Sequence, residues 1–240
     1  MPSIAGASGQ KIDRAAIDER VAEVRERIGV ARRRAGRGDD TVALVAVTKG
    51  RTVAEVEAVI EAAVADIGEN TVQEAGPKAE AVGPGRCRWH FLGHLQRNKV
   101  AAALRFADMV QSVDSTRLAE ELSRRAEQQG RLVPCLIEVN VSGEETKYGV
   151  SPEELPELAQ RVTGLPGLGL QGLMTVAPWG DLDSARSVFA GLRVLGEHLV
   201  SRGLPVRHLS MGMSDDYEVA VEEGSTMVRI GTAIFGTRKH

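Results

Sequence analysis

Apolar residues recur through positions 12–35 at helical spacing (Ile12, Ala16, Ile17, Val21, Val24, Ile28), with Arg and Glu between them. That pattern predicts one long amphipathic helix following a polar leader. Beyond it the period changes. Short β-branched runs each give way to an Ala/Glu/Leu-rich segment of helical period. Strands are expected near 42–48, 64–68, 88–92, 108–112, 133–140, 168–174, 207–211 and 226–230. Helices are expected near 52–63, 70–81, 95–104, 115–129, 152–163, 181–202 and 215–222.

Strands that alternate with helices build βαβ units and a parallel sheet. Eight of them close a (β/α)₈ barrel, whose usual size is about 250 residues. An open doubly wound sheet is the rival, but it normally carries a GxGxxG turn after its first strand. Here that strand runs out into Thr48-Lys49-Gly50-Arg51-Thr52. The chain has no Gly/Pro/Ser linker, repeat or low-complexity tract. The expected architecture is α/β: a single TIM barrel over residues 41–240, preceded by an N-terminal helical extension over 1–40.

Composition narrows the function. At 240 residues, 42% hydrophobic and 26% charged, this is an ordinary globular chain with ample core. A net charge of -3 and a pI near 6.0 argue against a general nucleic-acid binder. Cys87 and Cys135 lie far apart in no CxxC pattern, so neither a zinc site nor a disulfide framework is implied. The opening residues lack the charged and apolar regions of a signal peptide, and no run approaches the ~20 apolar residues of a membrane span. A cytoplasmic protein is expected. Of 30 basic residues 24 are Arg and only 6 are Lys. Each lysine is therefore informative, since Arg does not form Schiff bases.

One lysine ends the first predicted strand. Alternation places Ala43, Val45, Val47 and Lys49 on one side. If that side faces the barrel axis, Lys49 reaches the C-terminal rim, where these folds hold their chemistry. A partly desolvated amine there favours attack on an aldehyde; the alternative is a solvated rim lysine. In the last strand Met227, Arg229 and Gly231 share a side, and an arginine inside a closed barrel needs an anion or an acceptor. Gly231-Thr232 then opens a short segment whose free N–H groups suit a phosphate. Ser214 stands at a predicted helix start, either as an N-cap or as an anion donor in the loop after strand 7. From fold alone, a sugar-phosphate aldolase or isomerase using Lys49 also fits. Other features carry less. His90 and His94 straddle a strand end and make a poor metal pair. Arg32-Arg33-Arg34 suits a helix C-terminus. Lys147 reads as a loop lysine near the rim or a second amine, and Met211 and Met213 as packing residues.

Five blocks together resemble one family. They are Val47-Thr48-Lys49, Gly68-Glu69-Asn70-Thr71-Val72-Gln73-Glu74, Trp89-His90-Phe91-Leu92-Gly93-His94-Leu95-Gln96-Arg97-Asn98-Lys99, Ser210-Met211-Gly212-Met213-Ser214 and Val228-Arg229-Ile230-Gly231-Thr232. In this order they are similar to the YggS/PROSC family of pyridoxal 5'-phosphate (PLP) homeostasis proteins, from about residue 42 to 236. Thr48 stands where Ser is common in that family, and His94 where Pro is common.

The resemblance implies a fold-type III barrel like the N-terminal domain of alanine racemases, with PLP held as a Schiff base on Lys49. Ser214, Gly231 and Thr232 match phosphate-binding positions, and Arg229 the arginine facing the pyridine nitrogen. Asn70 matches a residue lining the ring; read from the residues alone, it is equally a helix N-cap with Gln73 at N3. An arginine at the pyridine nitrogen makes the ring a poorer electron sink. Racemases of this fold add a tyrosine base from a second domain, for which this chain leaves no room. Its tyrosines are Tyr148, in a loop, and Tyr217, in a helix as a packing residue. The resemblance therefore implies a non-catalytic carrier or buffer of PLP, with apo PLP-dependent enzymes as partners, no metal and a monomeric state. An amino-acid racemase of reduced architecture is the alternative.

Overall fold

The computed structural model describes residues 12–38 and 40–237, so the polar leader falls outside the described residues. Eight parallel strands form a closed barrel in chain order. They are β1 (Ala43–Val47), β2 (Asp66–Glu69), β3 (Arg88–Phe91), β4 (Met109–Val113), β5 (Val133–Glu138), β6 (Leu168–Met174), β7 (His208–Ser210) and β8 (Met227–Ile230). β8 returns to pair with β1, setting Val45 beside Arg229, while β2 sets Asp66 on the other flank of Val45. All eight expected strands are present.

The helices are α1 (Arg14–Arg34), α2 (Val53–Glu61), α3 (Val72–Val82), α4 (Val100–Ala103), α5 (Thr116–Gln128), α6 (Leu155–Thr163), α7 (Leu182–Ser201), α8 (Tyr217–Glu222) and α9 (Thr232–Phe235). Local chemistry sets their starts. Thr52 caps α2 in a reciprocal box with Glu55, and Ser115 caps α5 through Leu118 N. The expected helix over 95–104 survives only as a 3₁₀ turn, Arg97–Lys99, followed by one turn of α4. Gln96 offers it no side-chain cap, and Lys99 N closes on Gln96 O as an i to i+3 bond of 2.9 Å.

Even-numbered residues of β1 face outward. Leu44 and Ala46 join Ile67, Val228 and Ile230 in a core with Ile17, Val21, Val24 and Ile28 of α1. Each such aliphatic, once buried, is worth about 1.5–3 kcal/mol, so α1 is fastened to the barrel wall beside α2, α8 and α9. A second core lies under α4 to α7, around Leu122, Ile137, Leu173, Phe189 and Leu192. The barrel axis is different. Asp66, His90, Gln111, Ser210 and Arg229 are all buried and hydrogen-bonded in one line, where barrels of this type commonly carry branched aliphatics.

Candidate functional site

The site is assembled at the C-terminal rim, beginning with β1. Thr48 continues the ladder through a 2.9 Å bond to Gly68 O, and its hydroxyl donates to Glu69 Oε1 at 2.6 Å on the α3 side. Lys49 follows as the first residue of the turn that leaves β1. Both peptides around Lys49 are gripped from α3: Lys78 Nζ donates to Thr48 O at 2.7 Å, and Gly50 N donates to Glu74 Oε2 at 2.7 Å. Lys78 also pairs with Glu69 Oε1 at 2.7 Å and Glu74 Oε2 at 3.2 Å. Lys49 itself is exposed. This corrects the expected partial desolvation: the residue lies beyond the last strand bond of β1, on the turn leading to Arg51, so the rim does not enclose it.

Two turns bring Ser214 to the start of α9. Gly212 sits at φ 97°, a conformation that favours glycine, and an added Cβ there would lie 2.6 Å from Ala220 Cβ and 2.9 Å from Tyr217 Cα. The chain thereby folds back, and Ser214 Oγ accepts from Gly231 N at 3.3 Å and Ala233 N at 3.1 Å. Ser214 is thus no N-cap. Asp216 holds that position in α8, and its carboxylate accepts from Met213 N, closing a turn before the helix begins. Thr232 stands exposed at the same bend. Arg51 ties this end of the mouth to the Lys49 turn: it donates to Gly236 O and lies over the Phe235 ring at 5.2 Å.

Below them Arg229 is buried, donating from Nη1 to Ser210 Oγ at 2.7 Å and from Nη2 to Thr175 O at 2.8 Å. Burial pulls its guanidinium down to about 10, with the carboxylates of Glu138 and Asp216 working against that shift. It remains a cation at neutral pH. Glu138, at the end of β5, was absent from the sequence reading. It is 8% exposed, and its Oε2 has no hydrogen-bond partner. Burial, helped by nearby Asp114 and opposed by Arg229, pushes its carboxyl up to about 7. Its only sequence signal is a charged residue closing an otherwise apolar strand.

Asn70 does not cap α3. Thr71 is the N-cap, accepting from Glu74 N at 3.4 Å, so Glu74 takes the N3 place expected of Gln73. Asn70 instead marks where the β2 and β3 exits touch: a Cβ on Gly93 would fall 2.2 Å from Asn70 O. Tyr217 is 2% exposed in the outer core, under Arg27. Tyr148 stacks on His94 at 4.1 Å, and His94 Nδ1 lies 3.1 Å from Asp114 Oδ2. Lys147 pairs with Glu144 at 2.7 Å. Met211 is buried in the core, and Arg32, Arg33 and Arg34 occupy the last turn of α1.

The chain and its closed barrel have known counterparts. The family pattern of the alanine racemase N-terminal domain matches residues 12–239. A pyridoxal phosphate homeostasis protein of Aquifex aeolicus is 42% identical over 224 residues, covering 92% of this chain and 98% of its own. The chain belongs to the pyridoxal phosphate homeostasis protein family. Another member, from Pseudomonas aeruginosa, is 42% identical and covers 93% of this chain and 96% of its own. PipY of Synechococcus elongatus, solved with PLP bound, superposes with a TM-score of 0.80 at 34% identity, covering 92% of this chain and 100% of PipY. Alanine racemase from Corynebacterium glutamicum shares the fold alone: TM-score 0.74 and 16% identity, with the likeness covering 63% of the racemase chain.

Proposed function

We propose that this protein binds PLP at the barrel mouth and serves as a reversible carrier of it rather than as an enzyme. The observation that carries the reading is the grouping of a gripped lysine, a bent anion loop and a buried cation at one rim, in a family named for PLP homeostasis. The residues fit the group. PLP supplies an aldehyde that condenses reversibly with a primary amine. Lys49 provides that amine on a backbone fixed from α3. Ser214, Gly231 and Thr232 hold the phosphate ester, the N–H groups of Gly231 and Ala233 already converging on one oxygen. Arg229 faces the ring nitrogen as a donor and keeps it unprotonated. Asn70 lines the ring from the β2 exit.

Two features favour carrying over turnover. A cationic Arg229 weakens the ring as an electron sink. Neither tyrosine sits as a second base: Tyr217 packs beneath α1 and Tyr148 lies flat on His94. Apo PLP-dependent enzymes are the natural recipients, and a monomeric, cytoplasmic protein fits that role.

The test is spectral. Purified protein mixed with PLP should develop a visible band that borohydride traps on the peptide containing Lys49, and Lys49→Ala should lack both. A band and adduct unchanged in that variant overturn the assignment. Incubation with L- and D-alanine in deuterated water should show no α-proton exchange above that of free PLP. Exchange well above that level would make the protein a racemase.

A further inference from the structure

The line of polar side chains along the barrel axis has a direction, and Arg229 sets it. A guanidinium only donates, so Ser210 Oγ accepts from Arg229 Nη1 at 2.7 Å. The serine's own proton goes to Gln111 Oε1 at 2.7 Å. This turns the amide nitrogen of Gln111 away from Ser210, toward two acceptors: His90 Nδ1 at 2.8 Å and Met227 Sδ at 2.9 Å. A thioether sulfur only accepts, which fixes the amide the same way round. His90 Nδ1 therefore accepts, and the ring proton lies on Nε2, 2.8 Å from Asp66 Oδ1. At the floor Arg88 grips Asp66 with two bonds of 2.7 Å, from Nε and Nη2. From buried Arg229 at the mouth down to Asp66 every donor thus points toward the floor, where exposed Arg88 donates to Asp66 from the other side.

We propose that His90, Gln111 and Ser210 are positioning residues for Arg229. Their one-way line of hydrogen bonds, anchored on the carboxylate of Asp66, fixes the orientation of the guanidinium under the cofactor ring and locks His90 as the Nε2–H tautomer. The role toward the cofactor rests on the PLP reading above; the tautomer does not. The carboxylates of Glu138 and Asp216 pull on Arg229, and the bonds to Ser210 and Thr175 hold its donor groups in place against that pull.

Two measurements test it. In ¹⁵N-histidine-labelled protein without PLP, with His90→Gln identifying the resonances, His90 should show an unprotonated Nδ1 and a protonated Nε2. Gln111→Leu should leave Nε2 protonated toward Asp66 but move the Nδ1 resonance, which loses its donor, with His94 and His208 unchanged. A proton on Nδ1 in the parent protein overturns the proposal. In PLP-loaded protein, Ser210→Ala should shift the visible band and speed PLP release about tenfold, the worth of one hydrogen bond to a charged group, with Ser210→Thr restoring both. A folded Ser210→Ala protein with parental band and release rate overturns the positioning role. A parent protein that takes up no PLP overturns the functional reading, and the role toward the cofactor with it; that failure is distinct, because the tautomer result stands apart from it.

Discussion

Lys78 Nζ donates to the carbonyl oxygen of Thr48 at 2.7 Å, one residue before Lys49. The same ammonium bonds Glu69, a fully buried carboxylate on the neighbouring strand. Helix α3 thus fixes the rim backbone on which Lys49 stands. A charge-bearing contact of this kind costs little while it is complete and much when it is broken.

Lys78→Met should therefore destabilise the protein by about 3–5 kcal/mol, because Glu69 would be left buried without its cation. Adding Glu69→Gln should recover a large part of that loss. Urea unfolding of the two variants and the parent measures both effects, and equal midpoints for Lys78→Met and the parent would contradict the coupling.

Glu138 makes the protein's stability fall with rising pH. Its folded value of about 7 lies above the ordinary 4.5, so between those values the folded state binds more protons than the unfolded one. The contribution is complete below about pH 4.5 and is lost as pH rises through 7. Glu138→Gln should leave stability nearly unchanged at pH 4.5 and raise it by up to about 3 kcal/mol at pH 8. Thermal unfolding at the two pH values gives the comparison.

Asp66 acts in the opposite sense. Burial alone would raise its carboxyl, but hydrogen bonds from His90 and Arg88 outweigh burial and hold it at about 2, below the usual 3.8. Its contribution is present above pH 4 and fades as pH falls through 2. Asp66→Asn should lower the unfolding temperature at pH 7 and have little effect near pH 2, as a calorimetric pH series would register.

Gly93 and Gly29 make a matched pair of substitutions. Alanine at Gly93 would place its Cβ 2.2 Å from Asn70 O, whereas at Gly29, inside α1, it would meet only the far end of the Arg33 side chain at 3.4 Å. Gly93→Ala should cost about 1–3 kcal/mol through backbone displacement. Gly29→Ala should gain about 0.5–1 kcal/mol from helix propensity. Denaturant midpoints of opposite sign are the expected result.

The barrel was legible in the sequence because each strand is a β-branched run bounded by a change of period, and β1 parity separates Leu44 and Ala46, which pack against α1, from Val45. The site was legible at Arg229, because an arginine inside a closed barrel needs acceptors and finds Ser210 and Thr175. It was not legible where bonds cross between elements far apart in the chain. Ser214 reads as an N-cap until β8 and α9 come alongside and offer it Gly231 and Ala233. Asn70 reads as a cap until Thr71, one residue on, proves better aligned with Glu74. Gln111 and His90 look like polar interruptions of short strands, and only closure shows them facing one another. The sequence left Lys49 open between a partly desolvated and a solvated rim amine, because alternation gives the side of a strand and not the height at which the wall ends; it is exposed.

The stapling of α1 across the seam has a consequence for biosynthesis. Arg20 of α1 donates to Ile234 O, 214 positions later, at 3.3 Å, and β1 finds one of its two neighbours only in β8. On the ribosome, α1 and β1 must wait for β8 and α9 before the cylinder can shut. The bend that joins Ser214 to Gly231 and Ala233 therefore takes shape only once β8 and α9 have been made and the barrel can close behind them.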